Sequence, residues 1–324
     1  MRSSEVRFAL ALSLALGSFA FGDTRDGYAV ERLTQASAGG GWIVSDSLSW
    51  GPGLGGAVNF STGYSHLPLT IAVPGQGERL AVVSDQAFAE IGLAVSWQWL
   101  RFSAQFSSPL VATGQDGAVG DSTFAAPHVD LQQNPDTISD VHLSLDARIY
   151  GEYGSPFRLG VGGQLILPSG EPKDYLSDGT YRGRLRVFAA GERSWLTWAA
   201  QLGVHLRPRD DSPMPGGPLG SELLFAGAAG AKIPLGTSSW QVCVGPELFG
   251  ATALRSAFSR EATALEALLS ARAETTGEEG VQLRVKLGIG VGLVPAFGAP
   301  AWRLVLAVEG FGHLIPKPAP PAAP

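Results

Sequence analysis

Between Val281 and Leu293 every second residue is apolar: Val281, Leu283, Val285, Leu287, Ile289, Val291 and Leu293 interleave with Gln282, Arg284, Lys286, Gly288, Gly290 and Gly292. Side chains of an extended strand point alternately to opposite faces, so a period of two gives one apolar face and one wet face. Gly288-Ile289-Gly290-Val291-Gly292 therefore reads as strand. A nucleotide-binding glycine loop would need a helix to follow, and none is indicated.

The same pattern recurs in pairs separated alternately by short turns and long polar loops. Val141, Leu143, Leu145, Ala147 and Ile149 alternate with His142, Ser144, Asp146, Arg148 and Tyr150, and after Gly151-Glu152-Tyr153-Gly154 the chain returns through Phe157, Leu159 and Val161. A long loop, 168–180, precedes a strand carrying Arg182, Arg184 and Arg186 opposite Leu185 and Val187, and Gly191-Glu192-Arg193-Ser194 turns it back. Further strands are predicted near 221–233, 239–252, 262–275, 280–294 and 301–311, with earlier ones near 53–73, 86–97 and 100–107. Residues 262–274 also have helical spacing at Leu265, Leu268, Leu269 and Arg272, but strand parity works equally, and a helix there would leave an odd count.

The reading is all-β: an antiparallel transmembrane outer-membrane β-barrel of about 12 strands, with long extracellular loops and short periplasmic turns. Hydrocarbon offers no hydrogen-bond partner, so such a sheet has to close. Both ends of the barrel chain are then expected on the short-turn side. The alternative is a secreted β-sandwich, in which alternation faces a protein core. Long strands argue against it, as do Trp50, Tyr64, Trp97, Trp99, Trp195, Trp198, Trp240 and Trp302 near strand ends, where interfacial aromatic girdles lie.

The flanks fit export. Arg2 and Arg7 precede an apolar run, Phe8 to Leu16, and small residues near Gly22, the pattern of a cleaved signal peptide over 1–22. That run is shorter than the roughly 20 residues a spanning helix needs. Residues 23–52 are expected to form an N-terminal periplasmic segment, 53–311 the barrel, and 312–324 a Pro/Ala-rich periplasmic tail. A net charge of -6 argues against a nucleic-acid partner, and the lone Cys243 rules out an internal disulfide.

Several blocks also resemble a known family: Trp42 to Leu48 (WIVSDSL), Tyr150 to Gly154, Leu167-Pro168-Ser169-Gly170, Ser177-Asp178-Gly179-Thr180, Pro218 to Leu223, and Gly245-Pro246-Glu247-Leu248-Phe249-Gly250. Together they resemble the N-terminal barrel part of OmpA-family outer-membrane proteins of myxobacterial type. The resemblance implies a barrel in the cell envelope. In that family a peptidoglycan-binding domain often follows, but its binding residues have no counterpart here.

Strand parity sends a defined set of charges to the barrel interior: Arg101, Asp146, Arg148, Arg158, Arg182, Arg184, Arg186, Lys232, Glu247, Glu266, Arg272, Arg284, Lys286, Arg303 and Glu309. At the membrane midplane an outward Arg or Lys would cost about 2–4 kcal/mol, which is why charge belongs in the lumen. The basic excess either favours small anionic solutes in an open pore or is cross-linked to carboxylates that fill a narrow one. Inward glycines at 160, 162, 288 and 290 suggest free space.

Other chemistry is weakly indicated. Asp116, Asp121, Asp130 and Asp136 in the long loop match no calcium-loop spacing, and the five histidines never pair at ligand spacing. His142 and Ser144 share a strand face but lie about 7 Å apart, too far for a nucleophile and its base. No cofactor, metal site or enzymatic activity is expected. The functional expectation is a porin-like passive channel or an envelope-structure module. The alternative is a plugged barrel acting as anchor or adhesin, with outer-membrane lipid around it and envelope partners at the tail.

Overall fold

The computed structural model describes residues 27–72, 79–119, 122–130, 137–208, 219–236, 239–276, 280–294 and 298–313. The expected signal peptide and the residues beyond 313 lie outside them. Fifteen strands run along the described chain: β1 (Leu54–Ala72), β2 (Arg79–Trp97), β3 (Leu100–Thr113), β4 (Gly117–Val119), β5 (Ser122–Phe124), β6 (Val129–Asp130), β7 (Val141–Tyr150), β8 (Arg158–Leu167), β9 (Arg182–Arg193), β10 (Leu196–Leu206), β11 (Glu222–Pro234), β12 (Trp240–Ala253), β13 (Thr263–Thr275), β14 (Val281–Val294) and β15 (Trp302–His313). Two short 3-10 turns, Pro172–Asp174 and Leu254–Ser256, lie in loops.

Twelve of these strands close into one antiparallel barrel, each paired with its sequence neighbour, with β3 running beside β7 and β1 beside β15. Closure leaves no edge, so every wall strand is paired on both sides. The short β4 and β5 form a separate ribbon, and β6 pairs with the upper end of β3. The ambiguous stretch near 262–274 is strand β13, in register with β12 and β14. Its Leu269 faces outward, whereas Leu268, which completes the helical pattern, is buried inward.

Parity holds around the wall. Leu283, Leu287, Ile289 and Val291 are exposed on the outside, while Arg284 and Lys286 are buried inside. Trp97, Trp99 and Trp195 are exposed at the short-turn end, and Trp302 stacks near Tyr64 toward the long-loop end, with centroids 5.0 Å apart. Trp50 departs from the expected girdle. It is buried inside the barrel, where its indole Nε1 donates to the Gln98 carbonyl at 3.1 Å.

Strands β1 and β2 rise beyond the wall; β1 matches its expected span, whereas β2 starts at Arg79, ahead of the expected 86. Above the bulge at Leu67 (φ 54°), Leu69, Ile71, Val82 and Val83 are all buried, because this extension packs against loops and segment as well as against itself. Strict alternation ends where both faces are covered.

The largest correction concerns residues 27–52. They do not form a periplasmic segment below the barrel. The described segment starts at the long-loop end, where the Val30 N–H donates to the Tyr175 carbonyl at 3.2 Å, and reaches the short-turn end at Trp50 before entering β1. Only the β1 start and the β15 end lie on the expected side. The segment runs through the lumen, and Tyr28, Val30, Trp42, Ile43, Val44 and Leu48 are all buried.

Lipid contact on the outer face predicts that Leu287→Arg, placed mid-strand, destabilises the barrel in bilayers by about 2–4 kcal/mol. Denaturant titration of the folded fraction in lipid vesicles measures this.

Candidate functional site

The lumen is occupied, and several of the fifteen inward charges hold its occupant while the others pair with one another or with wall and loop groups. Glu247 on β12 is 1% exposed. Its carboxylate accepts the backbone N–H groups of Ile43 (2.9 Å), Val44 (2.9 Å) and Ser45 (3.3 Å), and the Ser270 hydroxyl at 2.7 Å. Three successive amides converge because the segment folds tightly there, with a bridge between Gly41 and Asp46 and the Ala36 N–H donating to the Ile43 carbonyl at 2.9 Å. Hydrogen bonds to a charged acceptor are the stronger kind, so this is the firmest polar anchor of the segment.

Arg101 on β3 bridges segment and wall, pairing with Asp46 at 2.6 Å and with Asp146 of β7 at 2.8 Å. Asp146 also meets Arg186 at 3.2 Å. Below them Arg148 donates to the carbonyls of Leu48 (3.1 Å) and Trp50 (2.6 Å), and both Arg101 and Arg148 lie over the Trp50 ring. Trp42 lies beneath Arg272 (4.7 Å), and its carbonyl accepts from Lys286 at 3.2 Å. Lys286 and Arg284 share Glu309 at 2.6 and 2.9 Å, while Glu274 pairs with Arg284 (2.6 Å) and Arg272 (3.4 Å).

Arg303 joins Glu266 (3.0 Å) to Glu31 of the segment (2.9 Å). Arg158 and Lys232 share Glu192 at 3.1 and 2.9 Å. Arg182 pairs with Asp140 and lies 3.6 Å from Asp178, and Arg184 donates to Thr34 at 2.7 Å and to Gln164 at 3.0 Å. The arginine ladder of β9 is thus engaged by protein groups rather than presented to a water-filled pore.

The inward glycines provide space for the segment instead of for solvent. A Cβ at Gly288 would lie 2.3 Å from Ile43 Cδ1, one at Gly230 2.6 Å from Trp42, and one at Gly160 3.0 Å from Leu48. Gly162 accommodates Asp146 in the same way. Cys243 is a buried small residue packed with Trp42, Ala190, Ala199 and Ala228.

At the long-loop end a hydrophobic cluster covers the lumen: Tyr28 and Val30 pack with Leu69, Ile71, Val82, Val83, Val119, Phe124, Tyr175 and Leu219. Beside it Asp178 accepts the Ala29 N–H at 2.9 Å and is gripped by Arg207 at 2.6 and 2.7 Å. Burial works against the Asp178 carboxylate, but the Arg207 and Arg182 guanidiniums overcome it and hold its pKa well below the usual carboxylate range. Burial pushes the Tyr175 phenol up to about 12. At the short-turn end a cavity of about 990 Å³ remains, walled by Trp50, Trp99, Arg148, Tyr150, Tyr153, Phe311 and His313.

Parity thus places all fifteen candidates on the inner wall, but several of the charged groups they pair with were not among them. Glu90, Glu192 and Glu222 were readable by the same rule. Glu31 and Asp46 lie on the segment itself, and Asp140, Asp178 and Arg207 lie just beyond strand ends, where alternation says nothing. Ser144 accepts from Gln164 at 3.0 Å. Among the described residues no group of His, Cys, Asp and Glu could hold a metal ion. Asp121 and Asp136 lie outside the described residues.

No family model matches the chain, and no curated protein matches it. Solved structures do resemble it. An outer membrane channel from Pseudomonas putida F1 aligns over 82% of this chain and 98% of its own, with a TM-score of 0.49 and 13% identity. The NanC porin aligns over 80% and 100%, with a TM-score of 0.47 and 7% identity. A bacterial polysaccharide outer membrane secretin covers 80% and 98%, at 0.39 and 11%. At these values the barrel assignment rests on this chain's own strand register.

Two measurements follow. Glu247→Gln leaves segment amides without their charged acceptor, which should cost about 1–3 kcal/mol and speed hydrogen exchange at Ile43 and Val44 while the wall amides stay protected. Because the folded pKa of Asp178 lies below its unfolded value, near 4, its contribution is complete above that pH and is lost as pH falls through the acid range. Proteolysis of the segment's upper end should therefore rise below about pH 4, and Asp178→Asn should raise it at neutral pH and flatten the dependence.

Proposed function

We propose that this protein is an outer-membrane β-barrel of porin-like architecture kept closed by its own N-terminal segment, residues 27–52. The observation that carries this reading is the segment's course through the lumen, anchored at Glu247, Asp46 and Glu31 and covered by the cluster around Tyr28. With the segment seated, buried residues from Tyr28 to Leu48 occupy the lumen. With it displaced, the inner wall would expose Arg101, Arg148, Arg272, Lys286 and Arg303 and would favour small anionic solutes.

The segment is held by side-chain and backbone contacts inside a lumen, and it is not a strand of the wall. Its removal leaves every ladder hydrogen bond of the barrel in place. That separability favours a gate over a structural core. The second reading is a permanently plugged barrel serving as an envelope anchor, and the number of buried ion pairs on the segment favours it. The OmpA-type affiliation suggested by the turn motifs is compatible with either and belongs to this proposal, as do the lipid surroundings, the periplasmic placement of the short turns and the absence of catalysis.

Single-channel recording decides between the two. The intact protein should be silent or flicker in planar bilayers. Gly288→Val, which drives a side chain into the Ile43 position while suiting a strand, should give sustained anion-biased steps. In that background Gln at 182, 184 and 186 should reduce the anion bias. Silence from a demonstrably inserted Gly288→Val variant with an exchange-labile segment would favour the anchor.

A further inference from the structure

Two small polar cavities persist where the upper part of the lumen segment lies against the wall. One, of about 70 Å³, is bordered by Gln86, Glu90, Gln105 and His142; the other, of about 40 Å³, by His205, Glu222 and Glu266. Glu31, Thr34, Arg182 and Arg184 border both, and Asp140 borders the larger. A water needs about 10–15 Å³ of such space, so the larger cavity has room for an ion with a hydrating water.

Arg184 is the unusual side chain here. Among the described inward cations, only Arg184 and Arg148 lack a carboxylate within ion-pair distance, and Arg148 faces the open cavity at the short-turn end with two backbone carbonyls on it. Arg184 is 7% exposed, its two acceptors, Thr34 and Gln164, are neutral, and its Nε–H has no hydrogen-bond partner. Arg182, 5% exposed and two residues away on the same face of β9, also has an Nε–H without a hydrogen bond. A buried cation without a counter-charge is strongly unfavourable, and the unpartnered Arg184 Nε–H beside two cavities, next to Arg182 whose charge is shared with Asp140 and, at 3.6 Å, Asp178, supplies the donor a small anion requires.

The acids nearby are mostly engaged. Asp140 pairs with Arg182, Glu31 and Glu266 with Arg303, and Glu222 with Arg32, His205 and Arg207. Glu90 alone borders the larger cavity with only a neutral partner, Gln105 at 3.3 Å.

We propose that the Arg184–Arg182 seam between β9 and the lumen segment binds one small inorganic anion of halide size. The site rests on the seated segment, because Thr34 forms part of its wall. The ion would neutralise Arg184 and add an anchor to the closed state.

The test uses the refolded full chain in detergent, exchanged into gluconate and titrated with chloride, with the ³⁵Cl resonance as the readout. Protection of the Ile43 and Val44 amides is checked in the same samples, so that a loose segment is distinguished from an absent site. Saturable line broadening is expected in the wild type, and its loss in Arg184→Gln. Glu90→Gln removes a negative charge that borders the same cavity and should tighten binding roughly tenfold. If Arg184→Gln does not refold, that gain carries the test. No saturable broadening with a protected segment overturns the proposal, as does equal broadening in Arg184→Gln. Binding in Glu90→Gln alone also overturns it, and would assign Glu90 as the water-bridged counter-charge of Arg184.

Discussion

A charge that cannot face hydrocarbon has to be neutralised inside the barrel, and the rest of this structure follows from that constraint. The apolar outer face requires the charges of each strand to point inward, into a lumen too narrow to solvate them all. Buried ions then need partners at close range. The wall supplies some, such as Asp146, Glu274 and Glu309. The rest come from the chain ahead of β1, through Glu31, Asp46 and a run of backbone amides and carbonyls. The segment is the counterpart of the inward face, and it fits because glycines at 160, 230 and 288 make room for Leu48, Trp42 and Ile43.

This arrangement gives the barrel two interiors with different chemistry. At the long-loop end the contacts are apolar, with Tyr28 and Val30 packed against Leu69 and Ile71 of β1, Val82 and Val83 of β2 and the β4–β5 ribbon. Through the middle they are ionic and directional. At the short-turn end Trp50, stacked under Arg101 and Arg148, closes off the lumen above a large aromatic-lined cavity. The segment is held by polar anchors and one apolar cover, and no ladder hydrogen bond of the wall belongs to it.

Much of the wall was legible in the sequence because its rule is local. An apolar outer face and a polar interior impose a period of two on each strand, and turn residues mark the ends. This is why Val281–Val294 and Val141–Tyr150 could be read almost to the residue, and why even Ala-Leu-Glu-rich β13 yielded to parity. The rule failed where both faces of a strand are covered, as at Val82 and Val83, and where the aromatic pattern misled, as at Trp50. It also failed for residues 27–52, whose backbone is neither helix nor ladder and so carries no period to detect.

The sequence by itself determined the closed antiparallel wall, its twelve strands and the inward direction of fifteen charged side chains, since each depends on alternation between neighbouring residues. Only the tertiary structure decided whether those charges line a pore or hold a plug. That outcome depends on contacts such as Ile43 with Glu247 and Asp46 with Arg101, between residues far apart in the chain that meet only once the barrel has closed around them.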